Sequence, residues 1–303
     1  MGLPKILVTG GAGFIGGHLA ERLAKAGGAE ILVLDNLVRG RQDRLKNCRF
    51  VQGDIRDRTL LTEVMNGVSK VVHLAAQSNV LGAVTDLDYS FSTNVAGTFE
   101  VLRAAQRAGV ERVVFTSSRE VYGEAEVLPV AEDTPLRPKN AYGASKLSGE
   151  LYCQVFRNQG LDTTVLRLAN VYGPGDRDRV IPIFLDKCRQ RQALTIFGGE
   201  QVLDFVWIDT VTEVLQKALF GAPVEGPINI GSGKGTKLPE LARQIIEQTG
   251  TDSRIELLPA RSVETTRFVA DIRKAGKVFG ISAPENSLQW LPELTQSSTL
   301  VHV

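Results

Sequence analysis

The hydrophobic and polar positions of the first 170 residues follow two patterns that alternate along the chain. Short apolar runs rich in β-branched residues predict buried strands, and longer stretches with helical apolar spacing lie between them. The predicted strands are Lys5–Thr9, Ile31–Leu34, Arg49–Gln52, Lys70–Leu74, Arg112–Thr116 and Thr163–Leu168, and the predicted helices cover residues 14–26, 57–66, 92–109 and 140–159. This alternation predicts an α/β fold in which a doubly wound parallel sheet has helices on both faces.

The second half of the chain has a less regular pattern. It predicts helices near 181–192, 209–220 and 238–249, strands at Ala193–Gly199 and Gln201–Ile208 around the Gly198-Gly199 turn, and a strand at Ile228–Ile230. We expect one large domain of residues 1–170 plus about 205–231, and a smaller C-terminal α/β lobe of residues 171–204 and 232–303. The segment Asn286–Val303 is short and partly polar, so we expect it to be poorly ordered.

The turn after the first predicted strand carries glycines at a spacing of three, Gly10, Gly13 and Gly16, and leads directly into a predicted helix. Such a turn lets the backbone approach a pyrophosphate, which the N–H groups and the positive dipole end of the helix then stabilise. The second predicted strand ends in Asp35, whose carboxylate can accept hydrogen bonds from an adenosine ribose and would repel a 2′-phosphate. These features predict a Rossmann domain that binds NAD, although the nearby Arg39 is a feature that NADP could use. A tight turn without a ligand is the alternative.

A tyrosine and a lysine stand one helical turn apart in the run AYGASK, at Tyr142 and Lys146, so both side chains should lie on one face of a helix. An ammonium group favours the phenolate form of a neighbouring tyrosine and should lower its pKa. Such a pair can accept the proton of an alcohol, and a serine hydroxyl within reach of both can align the alcohol oxygen. Alone, the pair also fits an ordinary amphipathic helix. Together with the glycine turn it favours the oxidation of an alcohol by a nicotinamide cofactor.

Composition narrows the possible classes of function. Charged residues make up 23% of the 303 residues and the formal net charge is +1, so no basic excess points to nucleic acid. No apolar stretch approaches the roughly 18–20 residues of a membrane span, and the first predicted strand begins too early to leave room for a signal peptide. The three cysteines and three histidines are scattered, which predicts reduced cytoplasmic thiols and no metal site.

Several motifs occur together in one order: GGAGFIG, DN at Asp35-Asn36, GDIRD, HLAAQSNV, NVAGT, TSSREVYG, YGASK, LRLANVYGPGDR and DIRKA. With this set, over roughly residues 5 to 280, the chain resembles the extended short-chain dehydrogenases/reductases and, more closely, the NAD-dependent sugar epimerase/dehydratase family. The resemblance implies tightly held NAD, a C-terminal lobe for a nucleotide sugar, and a homodimer formed through helices such as 92–109. It also implies that Tyr142 is the catalytic base and that Lys146 orients the ribose. By the same resemblance, Ser118 is expected to bond the reacting hydroxyl, with Ser117 as the alternative.

The resemblance implies further site residues. The expected cofactor-binding residues are Gly10, Gly13, Phe14, Ile15, Gly16, Asp35, Asn36, Arg39, Asp54, Ile55, Leu74, Ala75, Ala76, Asn94, Tyr142 and Lys146. The expected substrate-binding residues are Gln77, Ser118, Arg119, Asn170, Arg179 and Arg267. Within these sets, Asp54 could bond an adenine amino group and Asn94 supports the site.

The chain departs from the family pattern at two places. Relatives that dehydrate carry an Asp-Glu pair where this chain has Arg119-Glu120, and the usual Arg-Asp-Phe of the phosphate-binding stretch reads Leu203-Asp204-Phe205. Arg177, Arg179 or Arg267 would have to replace the missing charge, or the substrate is not a standard nucleotide sugar. The predicted function is a nucleotide-sugar 4-epimerase that acts through a transient 4-keto sugar, of the UDP-glucose/UDP-galactose type. A dehydratase or decarboxylase that uses Glu120 is the alternative, and a non-catalytic NAD-binding sensor is a distant one.

Overall fold

The computed structural model of this chain describes residues 3–263 and 266–296. Its strands are β1 (Lys5–Thr9), β2 (Glu30–Asp35), β3 (Arg49–Gln52), β4 (Val68–His73), β5 (Arg112–Ser118), β6 (Asp162–Leu168), β7 (Asn170–Tyr172), β8 (Leu194–Phe197), β9 (Val202–Trp207), β10 (Ile228–Ile230), β11 (Gly235–Lys237), β12 (Ile255–Leu258) and β13 (Arg267–Phe268). Its α-helices are α1 (Phe14–Ala26), α2 (Arg58–Val64), α3 (Val80–Thr85), α4 (Leu87–Ser90), α5 (Thr98–Arg107), α6 (Ala141–Asn158), α7 (Val180–Arg189), α8 (Ile208–Phe220), α9 (Leu238–Thr249), α10 (Arg273–Phe279) and α11 (Leu291–Gln296). A π-helical segment, Phe91–Gly97, precedes α5, and 3₁₀ turns lie at Gln42–Arg44 and Arg119–Val121.

Seven parallel strands form the large sheet in the order β10-β6-β5-β4-β1-β2-β3. The predicted α/β class with a doubly wound sheet is thereby confirmed. From β1 the chain moves outward through β2 and β3, and it then returns to the other side of β1 to add β4, β5, β6 and β10. The direction of winding reverses between β1 and β4, and a crevice at the carboxyl ends of the strands is expected at such a point.

Each face of the large sheet has its own hydrophobic core. Side chains alternate along a strand, so neighbouring residues of β1 point to opposite faces. Ile6 and Val8 belong to the core that α1 and α8 cover, whereas Leu7 belongs to the core under α5 and α6. All three are at most 1% exposed, which explains why this strand reads as a continuous apolar run.

The second half of the chain forms a four-stranded sheet, in which β9 pairs with β7, β11 and β13, and a parallel pair of β8 with β12. The strands on either side of Gly198-Gly199 therefore do not pair with each other. Helix α8 packs on α1, and β10 returns to the large sheet beside β6. Phe205 to Trp207 belong to β9 of the smaller sheet. The division into a cofactor-binding domain and a sugar-binding lobe stays a prediction.

The C-terminal segment is packed as far as the structure describes it. Leu288 and Leu291 are buried, and the ring of Trp290 stacks on that of Trp207 with 5.8 Å between centroids. Tyr172 donates a hydrogen bond to the Ser287 carbonyl at 2.7 Å. The expectation of poor order was therefore wrong for residues 286–296, because their apolar residues cover β7 and β9. Residues 297–303 lie outside the described residues.

Candidate active site

A cavity of about 670 Å³ opens at the carboxyl ends of the large sheet and extends to α7, β8 and β9. It contains most of the residues that the sequence predicted for the site: Gly10, Gly13, Phe14, Ile15, Gly16, Asp35, Asn36, Arg39, Ile55, Leu74, Ala75, Ala76, Gln77, Ser118, Arg119, Glu120, Tyr142, Lys146, Asn170 and Arg179. Three predicted residues, Asp54, Asn94 and Arg267, do not line it.

The glycine turn fits a ligand that approaches the backbone closely. Gly10 has a φ of +69°, and a Cβ at this position would lie 2.6 Å from the Ala75 amide nitrogen at the end of β4. At Gly16, the added Cβ would lie 2.2 Å from the Gly10 carbonyl oxygen. Helix α1 begins after Gly13, which has no side chain to cap the N–H groups of the first turn. Those groups are left for an anion, as a dinucleotide pyrophosphate requires.

Asp35 ends β2 at the edge of the same cavity. Its carboxylate accepts hydrogen bonds from the backbone N–H groups of Ala12, at 3.0 Å, and Leu37, at 2.8 Å, while burial raises its pKa. These two bonds hold the carboxylate in place and leave it further lone pairs for a ribose. Arg39 pairs with Asp178 across the cavity rim. Since that guanidinium is already matched to a carboxylate, the geometry favours NAD over NADP.

Asp54 lies beside the cavity, between Gly53 and Ile55, which do line it. Its carboxylate accepts from Arg56 at 2.8 Å and from the Asn36 side chain at 3.0 Å, and the Arg56 hydrogen bond holds the pKa of Asp54 at about 2. A contact from Asp54 to an adenine amino group stays a prediction. Arg56 and Asn36 already occupy the carboxylate that would have to make it.

Asn94 is 2% exposed and acts within the protein. Its side chain accepts from the Gln77 amide at 2.8 Å and donates to the Gln77 carbonyl at 3.1 Å and to Ser145 on α6 at 3.0 Å. It therefore does not line the cofactor site but ties the loop after β4 to the helix that carries Tyr142.

Tyr142 and Lys146 both lie on α6 and reach the cavity, as their spacing predicted. The helix begins at Asn140, whose side chain accepts a hydrogen bond from the Gly143 N–H at 2.8 Å. Ser118, the last residue of β5, interacts with the Tyr142 phenol and opposes the rise of its pKa. The three residues of the predicted catalytic group therefore meet at one end of the cavity.

The fallback serine and the lysine have other partners. Ser117 donates its hydroxyl to Glu150, which forms a buried ion pair with Arg167 behind β5. This engagement favours Ser118 over Ser117 as the group that meets the substrate. Lys146 donates to the Thr116 carbonyl at 2.8 Å.

The pKa of Tyr142 differs from the sequence-based expectation that the Lys146 ammonium lowers it. Burial raises the pKa of Tyr142 to about 12; the Arg179 guanidinium opposes this rise and the Glu120 carboxylate adds to it. Burial also lowers the pKa of Lys146 to about 8. The Lys146 nitrogen lies 5.9 Å from the centre of the Tyr142 ring and is directed at Thr116. Without ligands, Tyr142 is therefore a neutral phenol at pH 7, and Lys146 does not bring its pKa below the ordinary value.

The arginines that line the cavity differ from those that the sequence predicted. Arg267 is exposed on β13 and lies outside the cavity, because Phe268 takes the buried position of that short strand. Arg261 lines the cavity instead, with its guanidinium carbon 3.6 Å from the centre of the Phe197 ring. Arg179 also lines it and donates to Asp176 at 2.7 Å. Arg261 is thus a candidate that the sequence reasoning missed.

Arg119 and Glu120 follow Ser118 directly and form an ion pair within the cavity wall. The Nη2 atom of Arg119 lies 2.9 Å from Oε1 of Glu120, and the two side chains are 13% and 5% exposed. The other Glu120 oxygen accepts from the Asn140 side chain at 2.8 Å. Both oxygens of the candidate C5 base therefore have protein partners.

Comparison with known proteins identifies the family of this chain. The model of the NAD dependent epimerase/dehydratase family matches residues 6–231. The chain belongs to this family. It is 37% identical over 298 residues to a putative UDP-glucose 4-epimerase of Methanocaldococcus jannaschii, and the aligned region covers 95% of this chain and 93% of the relative.

Solved structures agree with that membership. The UDP-glucose 4-epimerase of Thermotoga maritima with UDP-glucose has a TM-score of 0.91 and 33% identity, covering 96% of this chain and 97% of that one. The dTDP-glucose 4,6-dehydratase of Streptomyces venezuelae with NAD bound has a TM-score of 0.91 and 32% identity, covering 96% and 95%. As a member of the NAD-dependent epimerase/dehydratase family, the protein uses NAD.

Two predicted exclusions concern membranes and metals. Among residues 3–263 and 266–296, no helix has the length and apolar character needed to cross a membrane. Within the same described ranges, no group of three or more His, Cys, Asp or Glu residues is placed to hold a metal ion.

Proposed function

We propose that this protein is an NAD-dependent nucleotide-sugar 4-epimerase that interconverts UDP-glucose and UDP-galactose, or close relatives of them, through a transient 4-keto sugar. The observation that carries the proposal is the meeting of Ser118, Tyr142 and Lys146 beside the glycine turn. The epimerase names of the relatives in M. jannaschii and T. maritima support the choice of UDP-hexoses as substrates.

Each side chain of the group has a distinct role. NAD, when bound, supplies a reversible hydride acceptor, and the Gly10 turn, the start of α1 and Asp35 would hold it. Tyr142 accepts the proton of the C4 hydroxyl, and Ser118 holds the same oxygen by a hydrogen bond. Lys146 is the nearby cation that favours the phenolate once it turns from Thr116 toward the cofactor ribose. The proton returns from Tyr142 to the sugar oxygen after the keto sugar has presented its other face.

The direct test is to incubate the purified protein with UDP-galactose and to follow the C4 configuration by NMR. We expect UDP-glucose to appear without net change in NAD redox state. The Tyr142→Phe variant should still bind NAD but lose turnover by about 100-fold or more, as expected for a lost general base. The absence of any C4 change with UDP- and dTDP-hexoses, in protein that holds NAD, would refute the proposal.

A dehydratase or decarboxylase is the second candidate, because Glu120 lines the cavity and the chain is also similar to a dTDP-glucose 4,6-dehydratase. The Arg119 and Asn140 bonds to both Glu120 oxygens favour a fixed structural carboxylate over a mobile base. Under this second function, Glu120→Gln would abolish a product that has lost water or CO2. Under the epimerase function, the variant keeps the interconversion of C4 epimers.

A homodimer is the assembly that we propose, with support from exposed apolar residues on α6 and on the segment before α5. Phe91 is 63% exposed, Leu151 57% and Val155 47%. Such a patch commonly marks a protein interface. Light scattering should give twice the chain mass, and Leu151→Lys should shift it toward the monomer. The cytoplasm is our proposed location, since Cys48, Cys153 and Cys188 are free thiols.

A further inference from the structure

Glu150 lies behind the proposed catalytic group, on the helix that carries Tyr142 and Lys146. It follows Tyr142 by eight residues and Lys146 by four, so the three side chains lie along one side of α6. Helix α6 packs directly on β5, since a Cβ added at Gly149 would lie 2.5 Å from the Phe115 ring. This close packing brings the Glu150 carboxylate to the end of the strand that carries the catalytic serine.

The last three residues of β5 are each paired with a residue of α6. The pairs are Thr116 with Lys146, Ser117 with Glu150, and Ser118 with Tyr142. The middle pair is a hydrogen bond that the serine hydroxyl donates to the carboxylate. Because one planar peptide joins Ser117 to Ser118, a fixed Ser117 leaves Ser118 little freedom to move relative to Tyr142.

The Glu150 carboxylate is itself held by Arg167 on β6. Arg167 is the register partner of Ser117 in the β5–β6 ladder, so both side chains reach the same carboxylate. The Nε atom of Arg167 donates to Oε1 at 2.9 Å and its Nη2 atom donates to Oε2 at 2.7 Å. Its Nη1 atom donates to the Tyr122 phenol at 2.7 Å. A carboxylate bound at both oxygens by one planar guanidinium has a fixed position and orientation.

Burial shows that Glu150 acts through other residues. Ser117, Glu150 and Arg167 are 3%, 9% and 3% exposed. In the described part of the chain, neither Glu150 nor Arg167 lines the cavity, whereas Ser117 does. Apolar packing alone would hold β5 against α6 without fixing the strand along the helix axis, since the hydrophobic effect is not directional. A hydrogen bond to a fixed carboxylate supplies that direction.

We propose that Glu150 is a positioning residue that, through the Ser117 hydroxyl, fixes the end of β5 along α6 and so holds Ser118 and Tyr142 at the spacing that the reacting alcohol requires. This inference rests on the proposed function, in which Ser118 and Tyr142 hold the C4 oxygen. Proton and hydride do not pass through Glu150. Its contribution is to the geometry of the chemical step, where a small displacement of a reacting group lowers the rate strongly.

The experiment uses Ser117→Ala in the NAD-loaded enzyme, because this change removes the hydroxyl and leaves the ion pair of Glu150 with Arg167 in place. We expect kcat for UDP-galactose to fall about tenfold, the effect of one lost hydrogen bond on the reacting geometry. KM should stay within about twofold, since the change acts on the chemical step and not on substrate binding. In a single turnover, NADH absorbance should show the same loss in the rate at which bound NAD⁺ is reduced.

The matched control is Thr163→Val on β6. Thr163 is 3% exposed, donates its hydroxyl to the Cys153 carbonyl on α6 at 3.0 Å, and does not line the cavity. The variant therefore removes the same kind of buried bond to the same helix, away from Ser118. Its kcat should stay within about twofold of wild type.

A second variant removes the carboxylate. Glu150→Met/Arg167→Met replaces the whole buried ion pair with apolar side chains, so no charge is left unpaired in the interior. Its kcat should fall at least as far as that of Ser117→Ala. Adding Ser117→Ala to this variant should lower kcat no further, because two changes that remove one interaction are not additive.

The outcomes separate the inference from the function beneath it. A wild-type kcat in Ser117→Ala overturns the role of Glu150, and so does an equal loss of kcat in Thr163→Val, which would assign the effect to general packing. A change confined to KM overturns it as well. If the NAD-loaded wild type converts no UDP- or dTDP-hexose, the proposed function fails, and that result is seen before any variant is compared.

Discussion

The ionisation of Tyr142 should depend on the charge of the bound cofactor. In the ligand-free structure burial raises the pKa of Tyr142 to about 12, so at pH 8 only about one phenol in 10,000 is ionised. A cation about 5 Å away, at an effective dielectric constant of about 20, favours the phenolate by roughly 3 kcal/mol. Since 1.36 kcal/mol corresponds to one pKa unit, binding of NAD⁺ should bring the pKa of Tyr142 down to about 10.

The coupling between NAD⁺ binding and the ionisation of Tyr142 can be measured either as a shift in pKa or as a change of NAD⁺ affinity with pH. Because NAD⁺ lowers the pKa of Tyr142, phenolate should form at lower pH in the complex, and NAD⁺ should bind more tightly as pH rises from about 10 toward 12. The assay is tyrosinate absorbance at 295 nm between pH 7 and 11, taken as the difference between wild type and Tyr142→Phe. Exposed tyrosines cancel in the difference, and burial keeps the pKa of Tyr122 at about 12.

NADH is the matched control, because its nicotinamide ring is neutral. It should shift the difference titration much less than NAD⁺ does. If the Tyr142-dependent signal titrates at the same pH without cofactor, with NADH and with NAD⁺, then the charge of the cofactor does not act on this phenol. The account of how Tyr142 becomes a base would then be wrong.

Three further predictions follow from particular contacts. Asp35→Asn should weaken NAD binding about tenfold by fluorescence titration, the loss of one charged hydrogen bond, without a gain for NADP because Arg39 stays paired with Asp178; tight NADP binding by the variant would contradict this. Arg261→Gln should raise KM for UDP-galactose about tenfold through a lost charge-assisted contact. Arg267→Gln should change this KM less than about twofold. Equal effects of the two substitutions would show that lining the cavity does not decide which of the two arginines binds the substrate. Asp204→Asn should lower the free energy of unfolding in urea by about 3 kcal/mol or more, because its buried carboxylate accepts four hydrogen bonds from residues 232, 233 and 270; the exposed Asp252→Asn should change it little.

The fold was largely predictable because buried parallel strands and amphipathic helices leave period-specific patterns. Helix α1 and strands β1, β3 and β10 have the predicted bounds, and the other strands of the large sheet differ by one or two residues at their ends. Helices α3 and α4 were missed, since each spans six residues or fewer and too few turns for a periodic signal. The pairing of β8 with β12 was also beyond the pattern, because hydrophobic alternation identifies a strand but not its distant partner.

Within the site, spacing along one element was informative and contact between elements was not. Tyr142 and Lys146 lie together because a single helix carries them. Whether Lys146 faces Tyr142 or the Thr116 carbonyl depends on how α6 packs on β5, and sequence spacing does not contain that packing. For the same reason the raised pKa of Tyr142 was not predictable, since it is set by burial together with Arg179 and residues 118–120, which are distant in sequence from one another.

The two C-terminal arginines show how strand pairing decides which charge reaches the substrate. Arg267 lies on β13, where it pairs in register with Val202, and because side chains alternate along a strand the burial of Phe268 turns Arg267 outward. Arg261 follows β12, whose last residue pairs with Phe197 at the end of β8, and this pairing brings its guanidinium over the Phe197 ring at the cavity wall. Arg261 is therefore a candidate for the charge absent at Leu203, although no local motif distinguishes it from Arg267; what separates the two is that Arg261 follows β12, whereas Arg267 lies on β13.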